Sequence, residues 1–495
     1  MSLNLLRSGQ AHARLVMAGA VLGALAFAAG CGAGYRAVVT PINPSGPPPQ
    51  PLSLVAVVSS PSPTSPGVAS ILDYSGDTII AQAPIGPGPL TFTMDETGSN
   101  GYTVNSDGTL TNFPISSALQ QKQVQYSTLP TASSVVNLFS PSAGLWAPDL
   151  NGDVIDVLTG FPASFKLAIP VAPTPVAVFG PGVVGLRNYA LTDNFDDPSG
   201  VACNVSPRTA SGAGEADAIE NSTFTISARI PVGKCPVYGL QTPDGKRFFV
   251  LNRGDDTITV INSQNNTLDA CTPFLNQDGQ LVTCHPSLPL STSAGLSGAN
   301  VPAIAGPVYA EFNAATNQIV VADYDGGTVS IVDVTLDQYG NDSPTFGTTY
   351  TVPVGTNPAA VTVLFDGSRA YAANQADSTV SVVNMVSHTV EKTLPVNGHP
   401  RSVVSTQNSI YGKVYVASPD SPYVSIVRTD QDIIDATVLV QGNVVDVRTS
   451  TQNAAAGNAI AASRTPGHGQ PCYLPPTVLS PSAITASTCR SATLP

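Results

Sequence analysis

His399 and Arg401, on either side of Pro400, are the adjacent His and Arg that this chain offers for hydrolysis, a chemistry needing a carboxylate, an imidazole and a guanidinium on one rim. After residue 30 the only histidines are His285, His388, His399 and His468, and none stands at i, i+4 or in a His-Glu-x-x-His arrangement, so no transition-metal site is expected. Cys284-His285 lacks the earlier cysteine of a haem-attachment motif, because position 281 is Leu. Asp149-Leu150-Asn151-Gly152-Asp153 has the oxygen spacing of a calcium loop. Its glycine, however, stands where a hairpin turn needs one and no bidentate Glu follows, so it reads as a turn. Asp193, Asp196 and Asp197 read as a solvated loop, and the adhesion-like Arg253-Gly254-Asp255 as a turn, since Tyr324-Asp325-Gly326 fills the same place elsewhere. No Gly-x-Ser-x-Gly elbow, Walker loop or dinucleotide fingerprint stands between a strand and a helix. The expectation is no catalytic residue, no metal and no cofactor, with enzymatic activity left open and a non-enzyme favoured.

The elements that would hold any site come from a repeat. Tyr371-Ala372-Ala373-Asn374 and Val380-Ser381-Val382-Val383-Asn384 recur in the same order as Phe249-Val250-Leu251-Asn252 and Thr257-Ile258-Thr259-Val260-Ile261, and copies close on turns such as Leu394-Pro395-Val396 and Ile230-Pro231-Val232. Val320-Val321-Ala322-Asp323 and Tyr415-Val416-Ala417-Ser418 open two further copies. Each copy is a pair of short β-branched runs joined by a polar turn, and none could bury its apolar face alone. Prolines close the copies, and Pro358 to Pro400 is about 42 residues, the length of a four-stranded propeller blade. Proline suits the connections because no ladder donor is needed there. Segments beginning near Leu54, Pro89, Ala132, Pro175, Pro236, Pro307, Pro358 and Pro400 predict an all-β chain folded as a single propeller of seven to eight four-stranded blades. The first segment has three strands, and Asn443-Val444-Val445-Asp446-Val447 is placed to supply the fourth and close the ring, or else to form a surface strand.

These phrases, with their Thr-Val-Ser-Val-Val-Asn and Pro-Val-Gly elements, resemble the YVTN-type (YncE-like) β-propeller repeat over about residues 54 to 448, most specifically 236 to 441. The resemblance implies the fold, usually with seven blades, and brings no catalytic residue. It also implies one enzymatic alternative, because relatives of the repeat resemble lactonases with a site at the mouth of the central channel. His399 and Arg401 are then the channel-rim candidates, although His399 takes the turn position that Asn357 fills one copy earlier.

Residues 1–30 read as an export signal, with Arg7 and Arg14 ahead of the apolar run Leu15 to Ala29. The Ala28-Ala29-Gly30-Cys31 ending resembles a bacterial lipobox, which implies a lipidated Cys31 as the mature first residue. An ordinary signal peptide with an incidental cysteine, or an uncleaved anchor, are the alternatives. Residues 31–53 are a Pro-rich tether, 54–448 the propeller with insertions near 195–228 and 270–305, and 449–495 a loop-rich tail. Gly32 after Cys31 points to the outer membrane, since the aspartate that retains some bacterial lipoproteins at the inner membrane is missing. Cys203, Cys235, Cys271, Cys284, Cys472 and Cys489 are an even set in an exported chain and suggest three disulfides, paired by default with their neighbours in sequence.

The net charge is −13, and loss of residues 1–30 removes Arg7 and Arg14 and no acid, leaving about −15. Such a chain has no electrostatic footprint for nucleic acid. The reading from sequence is a monomeric cell-envelope lipoprotein, exported and membrane-held through its N-terminal lipid, that serves as a binding scaffold for an envelope protein, glycan or small ligand. A propeller hydrolase of lactonase type and a passive structural component are the competing readings.

Overall fold

The computed structural model describes residues 53–451, apart from 96–97, 131–134, 136, 141–143, 151, 181–185, 194–211, 365 and 407–411. No α-helix occurs among them; the strands form eight antiparallel blades, with one extra two-stranded hairpin. Seven strand sets follow in chain order; six of them have first strands at Pro89–Met94, Pro175–Phe179, Pro236–Gln241, Pro307–Asn313, Pro358–Val363 and Ser402–Ser405. In blade three the described strands are Leu145–Asp149, Val154–Thr159 and Ser164–Pro170, and single bridges Val135↔Asp149 and Phe139↔Trp146 mark its inner edge. The count is therefore eight, not the seven usual for the resembled repeat.

Blade one is made from both ends of the propeller. Asn443–Thr451 pairs antiparallel with Ser53–Ser60, from Ser53↔Thr451 to Ser60↔Asn443, and Pro66–Asp73 and Thr78–Pro87 complete the sheet. Around the ring, first strands pack against one another, including Asn443–Thr451 against both Ser402–Ser405 and Pro89–Met94. No blade is left with an open inner edge on either side of the junction. The closing strand runs to Thr451, past the boundary at 448 expected from the sequence. The insertion expected near 195–228 is shorter at its far end, because Glu215–Glu220 and Thr225–Pro231 are strands three and four of blade four.

Inner strands are buried on both faces, so their sequences are largely apolar: Arg247–Asn252, with Phe248-Phe249-Val250-Leu251 at its centre, and Pro358–Val363 are buried throughout. Outer strands alternate, as in Ile433–Leu439, which exposes every other residue over its first half. Aromatic rings stitch neighbouring blades: Phe179 meets Tyr238 at 4.8 Å and Tyr238 meets Tyr309 at 4.7 Å, crossing blades four, five and six. The recurring prolines have a specific place. After Pro89, Pro175, Pro236, Pro307 and Pro358 the register shifts by one residue, so the residue lacking an N–H stands at a bulge, where the ladder is already broken.

The recurring asparagine explains the rest of the repeat. Nδ2 of Asn374 donates to Thr379 Oγ1 at 3.0 Å and Ser381 Oγ at 2.9 Å; Asn252 grips Thr257 and Thr259, and Asn105 grips Thr109 and Thr111, in the same way. One amide thus pins the turn between strands two and three, and the Thr-x-Ser/Thr spacing puts both hydroxyls on one face of strand three. The Pro-Val-Gly turn lies directly on this clasp: a Cβ at Gly355 would stand 2.6 Å from Asn374 Cγ, and one at Gly233 would stand 2.6 Å from Asn252 Cγ. Glycine is needed there for close approach.

Replacing Asn374 by Ala removes one buried and one partly buried hydrogen bond and leaves two hydroxyls unanswered, an expected loss of about 2–3 kcal/mol. Gly355→Ala should destabilise by about 1–3 kcal/mol through overpacking. Urea unfolding followed by fluorescence should show both midpoints lowered, with an equally spaced exposed control, Ser387→Ala, unchanged.

Candidate functional site

Strands alternate in direction, so connections between blades and between strands two and three share one face, here the proline face. The remaining connections share the other. Near the axis on the proline face, the residue after each clasp turns inward because its N–H is held by the carbonyl just before a first strand. Arg253 donates to Cys235 O at 3.0 Å, Tyr324 to Gly306 O at 2.9 Å and Gln375 to Asn357 O at 2.9 Å. Cys235, Gly306 and Asn357 all have positive φ, which aims their carbonyls at these donors.

The three side chains form a chain across blades five, six and seven. Arg253 sits over the Tyr324 ring at 5.4 Å and bonds both oxygens of Asp325, at 3.3 and 3.1 Å, and Tyr324 Oη donates to Gln375 Oε1 at 2.9 Å. Asn357 Nδ2 donates to Tyr324 O at 3.0 Å. Arg253, Tyr324 and Gln375 are buried, so the array is fixed before any ligand arrives. Arg401 is buried beside it, and desolvation lowers its guanidinium to about 10, with Tyr324 acting in the opposite direction. On the closing strand Asp446 accepts from Ser402 Oγ at 2.6 Å and from Arg448 at 2.9 and 3.1 Å; burial raises its carboxyl against those partners. These groups are donors and acceptors in a low-dielectric layer beneath the proline face, suited to holding the loops above it in one arrangement.

His399 stands on the same face. Its Nδ1 meets Asp420 Oδ2 at 2.5 Å, and its backbone N–H donates to Asp420 Oδ1 at 2.8 Å. The backbone bond is a feature of the repeat: Asp377 caps the Thr356 N–H and Asp255 the Lys234 N–H from the same turn. The equivalence expected between His399 and Asn357 therefore does not hold. Asn397 is an extra residue in this connection, Gly398 packs on Ser418 as Gly355 does on Asn374, and His399 takes the place of Thr356. Arg401 consequently stands where other blades start with proline, its N–H bonded to Ala417 O at 3.0 Å. His and carboxylate meet; Arg401 faces Tyr324.

Other sequence candidates resolve as scaffolding. Asp255 of Arg253-Gly254-Asp255 caps a backbone N–H while Arg253 is buried, so the tripeptide is a turn. Asp149 accepts from Gly152 N at 3.2 Å and Asp153 from Thr174 N at 2.8 Å. Cys271 and Cys284 are disulfide-bonded and staple an excursion that splits the fourth strand of blade five into Thr267–Leu268 and Ser287–Pro289. At its root, buried Arg247 bonds Asp269 at 3.2 Å and Asp342 at 3.0 Å, and Asp342 also meets His285 Nδ1 at 2.8 Å. Burial, and then the charge of Asp342, push Asp269 up to about 6. Cys235 is disulfide-bonded as well, whereas Cys31, Cys203, Cys472 and Cys489 lie outside the described residues.

Sequence reasoning missed the Arg253–Tyr324–Gln375 array, although the signal was there: each follows the recurring Asn or Asp by one position. It also missed two buried acids. Asp323 replaces asparagine in the clasp of blade six, accepting from Thr328 at 3.0 Å and Ser330 at 2.7 Å, and burial pushes it up to about 8 despite those donors. Glu311 accepts from Val363 N at 2.8 Å and Thr362 Oγ1 at 3.1 Å, and burial again pushes it up to about 8.

No protein-family model matches the chain, and no curated protein matches it in sequence. Among solved structures it is similar to the dihydro-heme d1 dehydrogenase NirN in complex with DHE (TM-score 0.54, 14% identity, 84% of this chain and 80% of that one). It is also similar to apo AztD from Citrobacter koseri (0.52, 11%, 80% and 97%) and to Saccharomyces cerevisiae Sqt1 (0.51, 9%, 72% and 86%). At these identities the similarity shows the propeller fold.

Both buried acids hold their protons more tightly folded than unfolded. Unfolded carboxyls ionise from about pH 4, so stability should fall as pH rises from about 4 to 8 and level off above. Asp323→Asn, which restores the clasp of the other blades, should flatten that slope and raise the melting temperature at pH 8 more than at pH 5. Thermal melts across this range check the sign.

Proposed function

We propose that this chain is an exported, lipid-anchored propeller of the YVTN-type that holds its proline face outward to bind an envelope protein, glycan or small ligand. The observation that carries the reading is where the chain enters and leaves the ring. Ser53 pairs with Thr451, and Ser60 at the other end of the same strand pairs with Asn443, beside the proline-face turn of blade eight, where Val444 N donates to Ser421 O. Both ends therefore leave from the face opposite the fixed array. A tether running from Cys31 through the proline-rich residues to Leu52 would present the Arg253–Tyr324–Gln375 layer and the 290–306 connection away from the membrane. Among the described residues no helix is long and apolar enough to cross a membrane, so the reading assigns attachment to acyl chains on Cys31.

A second reading, a hydrolase, has one specific observation in its favour. The Asp420–His399 pair orients an imidazole on the ligand-presenting face through Nδ1, the arrangement that leaves Nε2 for proton transfer. No nucleophile is placed within reach by the distances above, and so the binding reading is preferred.

The intact mass of the mature protein should correspond to a chain starting at Cys31 with diacylglycerol attached, and Cys31→Ser should move it from the membrane to the soluble fraction. A photo-crosslinker at Tyr423, on the proline face, should give a defined protein or glycan adduct in the native cell while one at Val386 gives no such adduct. Turnover of a lactone panel that is lost in His399→Gln would instead favour the hydrolase.

A further inference from the structure

Exposed large apolar side chains are unevenly shared between the two faces. Of fifteen among the described residues, nine lie on, or within three residues of, a connection on the face where the chain ends emerge, among them Phe161, Phe165, Leu186 and Val386. Three more, including Leu275 and Leu281, belong to the disulfide-stapled excursion of blade five. That excursion is hydrogen-bonded to blade six's connection on this same face, through Asn276–Asp337 and Tyr339–Asp278. Only Ile304, Tyr423 and Leu439 of the fifteen lie toward the proline face. Scattered exposed apolar residues are ordinary on any protein surface, but a bias to one face with every blade contributing is not.

The exposures are large where packing offers no reason for them. Leu186 is 75% exposed, just ahead of Arg187–Thr192; Val386 is 83% exposed in the turn before Thr389–Pro395; and Leu275 is 67% exposed on the excursion's hairpin, paired with Leu281, all places that a polar residue could have filled. Burial of such side chains in an apolar boundary removes area from water at about 25 cal/mol per Å². The excursion adds rigidity, since the Cys271–Cys284 bond and the Arg247–Asp269–Asp342–His285 cluster hold its hairpin in place.

We infer that this face seats on the interfacial region of a lipid bilayer, with the exposed apolar side chains of the rim entering the boundary between headgroups and acyl chains. The inference rests on the membrane-tethered reading of the chain, and the position of the chain ends selects the occupant. Ser53 and Thr451 leave from this face, and the residues from Cys31 to Leu52 could span up to about 70 Å if polyproline-like, at 3.1 Å each. A tether of that reach would let the disc float and turn. The apolar rim fixes its orientation instead, and tethering makes the contact intramolecular, so weak individual insertions suffice.

The test uses the full mature chain from residue 32 with an N-terminal hexahistidine tag, held on phosphatidylcholine vesicles by a nickel-chelating lipid, so that it does not depend on natural lipidation of Cys31. Val386→Trp, Leu275→Trp and Leu439→Trp are compared in vesicles of brominated lipid, with buried Trp146 as a constant background. At least twofold quenching of the first two and none of the third is expected. Equal quenching at all three, or none at any, would overturn the seating. So would self-association in solution that is abolished by Val386→Asp, which would assign the face to a second copy. An unlipidated Cys31 in the intact mass would sink the anchoring proposal while leaving this result to stand by itself.

Discussion

The pairing of Asn443–Thr451 with Ser53–Ser60 is the constraint on which everything else depends. Eight sheets that each bury both faces cannot be stable as an open row, because the terminal sheets would offer unpaired backbone and an uncovered apolar face. Drawing the inner strand of blade one from the far end of the chain solves both problems with one set of hydrogen bonds. It also decides orientation, since an antiparallel pair of the first and last strands must release both ends on the same face. The functional proposal follows from that geometry more than from any single side chain.

Within the ring, the repeat is maintained by a local device. The asparagine clasp fastens the turn between strands two and three, the glycine of the Pro-Val-Gly connection packs on it, and the next residue is turned toward the axis. Clasp and connection are thereby linked: in blades five, six and seven the residue that follows the clasp is held by its N–H against the start of the first strand. Arg253, Tyr324 and Gln375 exploit the position to build a buried polar layer, and Asp323 shows that the clasp tolerates a carboxylate at the expense of holding its proton.

Eight segments were legible in the sequence because turn chemistry and proline spacing are local properties, but the choice between seven and eight blades was not, since a degenerate segment and a blade look alike until their strands are paired. The three-strand first segment and its partner near Asn443 were legible too, since a missing strand leaves a gap in a strict period. What was hidden was offset and distance. Asn397 lengthens one connection by a residue while Pro400 keeps the ruler intact, so His399 was matched with Asn357 when the hydrogen bonds match it with Thr356. The strands Glu215–Glu220 and Thr225–Pro231 were taken into an insertion because their apolar runs are broken by Glu215, Asp217 and Arg229, which pair with one another. The contact of Arg247 with Asp342 joins blades through residues 95 apart at unrelated places in the repeat and leaves no periodic trace, whereas Tyr324 and Gln375 hold the same place in successive copies and only their mutual contact was hidden.

Closure can be measured covalently. Val57 and Val447 are directly opposed in the junction and buried, so the double variant Val57→Cys, Val447→Cys should form a disulfide on oxidative refolding, seen as a peptide linking the first and last strands by mass spectrometry. The closed ring predicts that cross-link in most molecules together with a higher melting temperature than the reduced form; cysteines that stay free, or that pair between molecules, would contradict it.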